Sequence, residues 1–402
     1  FRYDDLAENA IFVNDGGTPG VFDGNDFVLF YGESPNSWNY DDTDNRFHRN
    51  PHLYSDYSYY FITPELNTGT PPKRIQTQPS SSFSPNYSTS TFDDYNVHEL
   101  DKFNFIKSGR QWYGEPFDAD LTQSFSFSFP NIVLTEPVYV KSSLIAHSFS
   151  PSYFRLNYGS QLLMQQNVPA VGSSYTSPYA DENISNTTFS AVGSEITLAL
   201  TYNPTTSTSV GYLNFLELNA RRNLQMSGSQ MLFRDSRSVG VGNVTTFNLA
   251  ANGSVQVWDV TDPVNVKVQL YGNGTSFVSE TETLKEFIAF DGSAYITPLT
   301  AGTIANQNLH ALGRTDMVIL SHPNFLTQAL RLADFHRTHS NLDVVVVTPD
   351  QVYNEFSSGA PDIVGVRDFL KMFYDRAATP SDLPKYLLLF GDASYDYKNR
   401  VA

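Results

Sequence analysis

The sequence predicts a multidomain chain: β-rich, β-sandwich-like N-terminal regions followed by the opening half of an α/β domain with a parallel sheet. Three observations carry that reading. Short runs alternating aromatic or β-branched residues with polar ones recur to about residue 300. After Arg314 the pattern becomes strand, helix, strand, helix, strand, with nearly continuous apolar strands. The chain is also long, at 402 residues, and with 40% hydrophobic against 17% charged residues it has the apolar matter for more than one large core.

Residues 1–120 read as a β-rich region with long acidic loops. Positions 1–60 hold 3 Arg and no Lys against 11 Asp and Glu, so 3 − 11 = −8 of the total net charge of −17 sits there. Strands are expected around Ala10 to Val13 and Phe27 to Tyr31. The Ser, Thr, Pro and Gln stretch from Ile75 to Thr91 offers little to bury and reads as an exposed loop. Residues 121–312 read as an antiparallel sandwich. Ser124-Phe125-Ser126-Phe127-Ser128-Phe129 alternates until Pro130, and the stretches from Glu195 to Leu200 and from Val264 to Leu270 repeat the pattern. Asn252-Gly253 and Asn273-Gly274 supply turns.

Residues 313–402 change period. Asp316 to Leu320, Leu342 to Val347 and Tyr386 to Phe390 read as strands, and Phe325 to His339 and Asp362 to Ala377 as helices. Strands separated by helices make a parallel sheet covered on both faces. Only twelve residues follow Tyr386 to Phe390, where a crossover helix is expected, so the sequence reads as an internal fragment of a longer chain.

Composition excludes several functions. A net charge of −17 repels phosphate backbones, which argues against a nucleic-acid partner. No apolar run approaches the roughly 18 residues that a membrane-crossing helix needs. With no cysteine, these residues hold no disulfide, thiolate metal site or cysteine nucleophile. The first residues, Phe1 to Asp5, lack the pattern of a secretory leader.

Few residues suggest chemistry by themselves. His336 and His339 are spaced to share a metal on a helix, although an exposed helix face explains them more simply. Asp41-Asp42-Thr43-Asp44-Asn45 and Asp23-Gly24-Asn25-Asp26 are oxygen-rich and could hold Ca²⁺, but neither has EF-hand spacing and solvated turns are the plainer account. Asn-x-Ser/Thr sequons at Asn86, Asn183, Asn186, Asn243, Asn252 and Asn273 are expected by chance in this composition. Asp392, directly after Gly391 at the end of the third parallel strand, lies where open α/β sheets bind ligands. It could face a substrate or fix the following turn, and position alone leaves both open. There is no credible Ser-His-Asp arrangement and no Gly-rich phosphate loop.

Several segments together resemble a known family. QVYNEFSSGAPDIVGVRDFLKMFYDRA at 351–377 and PKYLLLFGDASYDYKNR at 384–400 are similar to the start of the peptidase domain of the type IX secretion sortases, within the gingipain-like, caspase-fold (C25-type) cysteine peptidases of Bacteroidetes. FDGNDFVLFYG at 22–32, YSDYSYYFIT at 54–63, SGRQWYGEPF at 108–117, YLNFLELNARRNL at 212–224, VWDVTDP at 257–263 and NQNLHALGRTDMVILSHP at 306–323 extend the likeness along nearly the whole chain, in order.

The resemblance implies a cell-surface enzyme, peripherally attached to the outer membrane, that removes the C-terminal sorting domain of secreted cargo and transfers cargo to an anionic lipopolysaccharide. It implies an outer-membrane β-barrel shuttle, PorV, as partner. It places the catalytic histidine and cysteine beyond residue 402, the histidine in a Gly-His-Gly setting. On this reading residues 313–402 are the first half of a gingipain-like peptidase domain, and Asp392 faces the substrate-cleft side. The alternatives are a β-sandwich surface adhesin or carbohydrate-binding protein, and a catalytically inactive sortase paralogue acting as scaffold. An adhesin has no reason to carry the α/β segment.

Overall fold

A computed structural model describes residues 6–63, 69, 71–271 and 276–401. The Asn273-Gly274 turn and the Asn273 sequon therefore lie outside the described residues. Among the described residues the chain is β-rich, with its α-helices gathered after residue 325 around a parallel sheet.

The alternating runs form the first sandwich. Gln161–Val168, Ser152–Tyr158, Glu195–Asn203 and Thr122–Ser128 make one antiparallel sheet in that order. Asp181–Phe189, Val138–His147, Val210–Asn223 and Thr91–Glu99 make the other, with Pro116–Phe117 added to Val210–Asn223. Alternation decides the packing: Phe125 and Phe127 point inward to meet Phe154, Leu198 and Leu216, while their serine neighbours face out. There Ser126 and Thr197 share a hydrogen bond at 2.8 Å, a cross-strand pair on the wet face.

A second sheet pair has its own core. Gln230–Phe233, Phe287–Phe290, Gln256–Asp259, Lys267–Gln269 and Gln76–Gln78 form one sheet, and Ser276–Glu280, Val244–Asn248 and Tyr87–Thr89 the other. Phe233, Phe247, Phe277 and Phe287 interlock between them, with Phe233 stacked on Phe287 at 5.3 Å and Phe247 on Phe277 at 5.2 Å. Offset and edge contacts of this kind add about 0.5–1.5 kcal/mol each beyond area burial.

The sheets run across residue 120. Thr91–Glu99 pairs with Val210–Asn223, and two short strands inside the stretch expected to be a loop join the second pair in parallel. The expected loop from Ile75 to Thr91 is thus corrected in part. Backbone hydrogen bonds, which need no apolar side chains, recruit Gln76–Gln78 and Tyr87–Thr89. Phe12–Asn14 pairs with Phe27–Leu29 as an antiparallel ribbon, and Ser37–Asp41 with Arg46–Asn50 as a hairpin. That hairpin turns through Asn45, whose φ of +57° suits asparagine better than most residues.

The C-terminal sheet is parallel, with Met317–Ser321 between Val344–Val347 and Tyr386–Phe390. Helix Leu326–His339 covers one face, packing Ala329 and Ala333 on Met317, Ile319 and Val344. Helices Pro349–Phe356 and Ile363–Arg376 cover the other through Val352, Phe369 and Phe373. Pro349–Phe356 is an addition to the sequence reading, started by a capping box between Thr348 and Gln351 with Pro349 at its first position. Asp362 caps the next helix by accepting the Val364 N–H at 2.8 Å. Tyr386–Phe390 is an edge strand, and Leu389 on it is 63% exposed, although Ile319 and Ser321 on the central strand are buried and its register partner Leu320 is half-buried.

Candidate functional site

All three parallel strands end on one side of the sheet, where α/β folds bind ligands. Met317–Ser321 runs out into His322, and Tyr386–Phe390 into Gly391 and Asp392. The His322 N–H donates to the Phe390 carbonyl at 3.1 Å, continuing the ladder past both strands. A Cβ at Gly391 would stand 3.5 Å from that of His322, so the two strand ends lie in contact.

His322 is exposed, and its Nδ1 accepts the Asn324 N–H at 3.2 Å, starting the turn into the first helix. Asp392 is also exposed, and its Oδ1 accepts the N–H of the next residue, Ala393, at 2.8 Å. An imidazole and a carboxylate thus stand at adjacent strand ends facing solvent. Such groups can bind or orient a polar substrate. Without cysteine in the chain they act on no thiol of their own. The one sequence signal for His322 is Ser321-His322-Pro323 placed directly after an apolar strand.

The chain then turns back along the β-rich region. Tyr395 stacks on Trp112 with centroids 6.0 Å apart, Tyr397 meets the ring of Tyr54 edge-on, and Lys398 Nζ lies 2.6 Å from Asp56 Oδ1.

The acidic turns behave differently from one another. In the first, Asp23 accepts the N–H groups of Thr18 and Asn25, and Asp26 those of Gly16 and Asp23. These bonds, Thr18 foremost for Asp23 and Asp23 foremost for Asp26, hold both carboxyls below the usual carboxylate range. The oxygens thus close the loop. In the second, Asp41 and Asp44 converge with His48 closely enough to share an ion. His48 there bridges Asp44 at 2.9 Å and the buried Glu217 at 2.6 Å, with Lys141 Nζ 3.4 Å from its Nδ1, so side chains of the protein already occupy these groups. Of the histidine pair, His336 Nδ1 lies 3.2 Å from the Ser340 hydroxyl, and both rings pack on Phe335, His339 stacked and His336 edge-on.

Charge is concentrated where the two sandwiches meet. Arg221 donates to Asp93 at 2.7 Å and Asp235 at 2.6 Å, and Arg222 to Asp94 at 2.7 Å. Burial pushes the Asp235 carboxyl up, against the pull of Arg221. A cavity of about 330 Å³ beside this network is lined by Arg46, Arg221, Arg237 and Asp93. It lies in the β-rich part, on different residues from the parallel-sheet edge.

The model of peptidase family C25 matches residues 310–401, the segment carrying the parallel sheet. Dimeric latent PorU from Porphyromonas gingivalis superposes with a TM-score of 0.80 at 25% identity, over 99% of this chain, so the likeness takes in the sandwiches as well as the α/β segment. The chain spans only 38% of that protein's length, which leaves the activity of a whole protein to proposal. The CBM36-1 domain of a multidomain xylanase from the hindgut metagenome of Trinervitermes trinervoides matches 31% of this chain and is itself 96% covered, at 9% identity and a TM-score of 0.21, too low to bear on function. No curated protein matches in sequence. A C25 match on the parallel-sheet segment and a PorU-like arrangement from end to end make this a PorU-like chain whose residues 310–401 match peptidase family C25.

Proposed function

We propose that this chain is the N-terminal part of a cell-surface C-terminal signal peptidase and sortase of type IX secretion. The observation carrying the proposal is the end-to-end likeness to PorU, with the C25 match falling on the α/β segment. The exposed edge strand Tyr386–Phe390 supports it, because apolar residues on both its faces call for further sheet and helix.

In the full-length protein a histidine and a cysteine beyond residue 402 perform the chemistry. The thiolate attacks the scissile carbonyl, forming a thioester as the sorting domain leaves with its new amino terminus protonated by the histidine. Water resolves the thioester in hydrolysis; an amine on an anionic lipopolysaccharide resolves it in transfer. Asp392 faces the cleft. The β-barrel PorV holds the enzyme at the outer membrane. Among the described residues no helix is long and apolar enough to cross a membrane, which is compatible with peripheral attachment.

The test is to incubate the full-length protein with a cargo carrying its sorting domain. Release of that domain, abolished by iodoacetamide and by Cys→Ala at the cysteine following the Gly-His-Gly motif, is expected. Release that survives both treatments overturns the mechanism, and no release in any condition favours the inactive scaffold.

A further inference from the structure

Residues 395–400 belong in sequence to the α/β segment, yet their long-range partners lie in the β-rich region. Trp112 is 3% exposed and takes Tyr395 flat on one ring contact, while the Arg400 guanidinium lies 5.0 Å from its ring centroid. Arg400 also donates to Asp101, and the Tyr397 hydroxyl to the Arg110 carbonyl. Lys398, with only 8% of its side chain exposed, pairs with Asp56. Asp56 itself is 66% exposed, so the better shielded contacts are those of Arg400 with Trp112 and Asp101, and cation–π and charge-assisted contacts gain strength away from water.

The platform that grips the segment is itself anchored. Phe103 and Tyr113 bond to each other across a short bridge, and the Gly114 N–H donates to Leu213 of the first sandwich at 2.8 Å. A second tie lies nearby in the chain: His52 Nδ1 accepts the Ser55 N–H at 2.9 Å, which leaves Nε2 to donate to Asp362 at 3.5 Å, at the start of the last helix.

We propose that the β-rich region is a positioning element of the peptidase: Asp56, Asp101 and Trp112 fix the segment 391–401, and with it the strand-end loop bearing Asp392. This rests on the peptidase reading above. A loop anchored at one end by the central sheet and at the other by a separate sandwich presents its side chains in one geometry, and misplacement of about 1 Å can cost about a hundredfold in rate. The three residues touch Tyr395, Lys398 and Arg400, so on this proposal they act through the loop.

The experiment uses the full-length protein and the double variant D56N/D101N, which removes two charges and keeps shape. Amide hydrogen exchange in 392–401 should quicken by about tenfold while that of 363–376 stays unchanged. Turnover of a sorting-signal peptide should fall by about tenfold in kcat with KM shifted by less than about twofold. The charge swap D56K/K398D should recover part of both. If the double variant melts early, K398Q/R400Q, made on the loop itself, is read in the same way. Unchanged exchange overturns the clasp. Faster exchange with unchanged kcat overturns the positioning role while leaving the peptidase reading intact. An unmodified enzyme without activity defeats the peptidase reading, and with it the positioning role, while the exchange result still decides the clasp.

Discussion

Arg234 donates from Nε to both carboxyl oxygens of Glu286 at 2.7 Å, and its guanidinium lies 4.5 Å from the ring centroid of Tyr95. Arg234 is 1% exposed, while 31% of the Glu286 side chain remains open. Burial, the largest single influence, works against the arginine's charge, but Glu286 with Tyr95 and Asp94 together hold the pKa above the ordinary value. Tyr95 is pushed up to about 12, chiefly by burial.

The asymmetry predicts unequal costs. Glu286→Gln strands a buried guanidinium and should cost about 3–5 kcal/mol, whereas the double variant R234M/E286Q, which removes the stranded charge as well, should recover most of that. Urea unfolding of the chain measures both. A double variant as unstable as the single one would show that the guanidinium's packing, and not its charge, holds the site.

Acid should loosen the α/β segment through Asp316. This buried carboxylate accepts from Lys385 Nζ at 2.8 Å, Arg314 at 2.7 Å and the Asp343 N–H at 3.0 Å, and Lys385 foremost lowers its pKa. A depressed folded-state pKa means that the group stabilises the fold above its unfolded value, roughly 3.9 for Asp, and that this contribution disappears as pH falls through the folded value. Asp316→Asn should therefore lower the melting temperature at pH 7 and flatten its decline below about pH 4. Parallel curves for the two proteins down to pH 2 would remove Asp316 as the source.

The start of Pro349–Phe356 offers a smaller, local test. Thr348 and Gln351 exchange side-chain and backbone hydrogen bonds, so Thr348→Ala should cost about 1 kcal/mol. Thr348→Ser keeps the oxygen and should cost a fraction of that. Equal losses for both would point to the threonine methyl instead of the cap.

How far this architecture was legible depends on where the signal resides. Thr122–Ser128 and Glu195–Asn203 can be read directly, because one buried face imposes alternation on the side chains. The three parallel strands stand out because they are apolar throughout, and helices cover both faces of the sheet at Met317–Ser321 and Val344–Val347. Gln76–Gln78 and Tyr87–Thr89 carry no such mark: their pairing uses the backbone, and their side chains stay polar. Separate cores for the two sandwiches are equally invisible, since Phe127 and Phe277 obey the same alternation while belonging to different clusters. At the candidate site, Asp392 is legible from its place after a strand. His322 becomes its neighbour only through the register that sets Ser321 opposite Phe390, a tertiary fact. The grip of Trp112 on Tyr395 and Arg400 depends on the placement of a sandwich against the α/β segment, and no local pattern encodes it.

Asp392 itself supplies the last prediction. A residue that fixes a turn accepts several backbone N–H groups, as Asp23 and Asp26 do in the first acidic loop. Asp392 accepts that of Ala393 and otherwise faces solvent at the carboxyl edge of the sheet. Asn at this position keeps an acceptor oxygen for Ala393, so Asp392→Asn should change stability by no more than about 0.5 kcal/mol. The charge is a different matter. If the carboxylate orients the substrate beside the cleft, its removal from the full-length enzyme should lower kcat by about one to two orders of magnitude at unchanged melting temperature, in the range seen for groups that position reacting partners. Glu at the same site restores the charge one methylene further out and should rescue only part of the loss. Turnover kinetics and thermal melting on the same preparations separate the cases: a stability loss with full activity per folded molecule assigns Asp392 to the turn, and normal values for both remove it from the site.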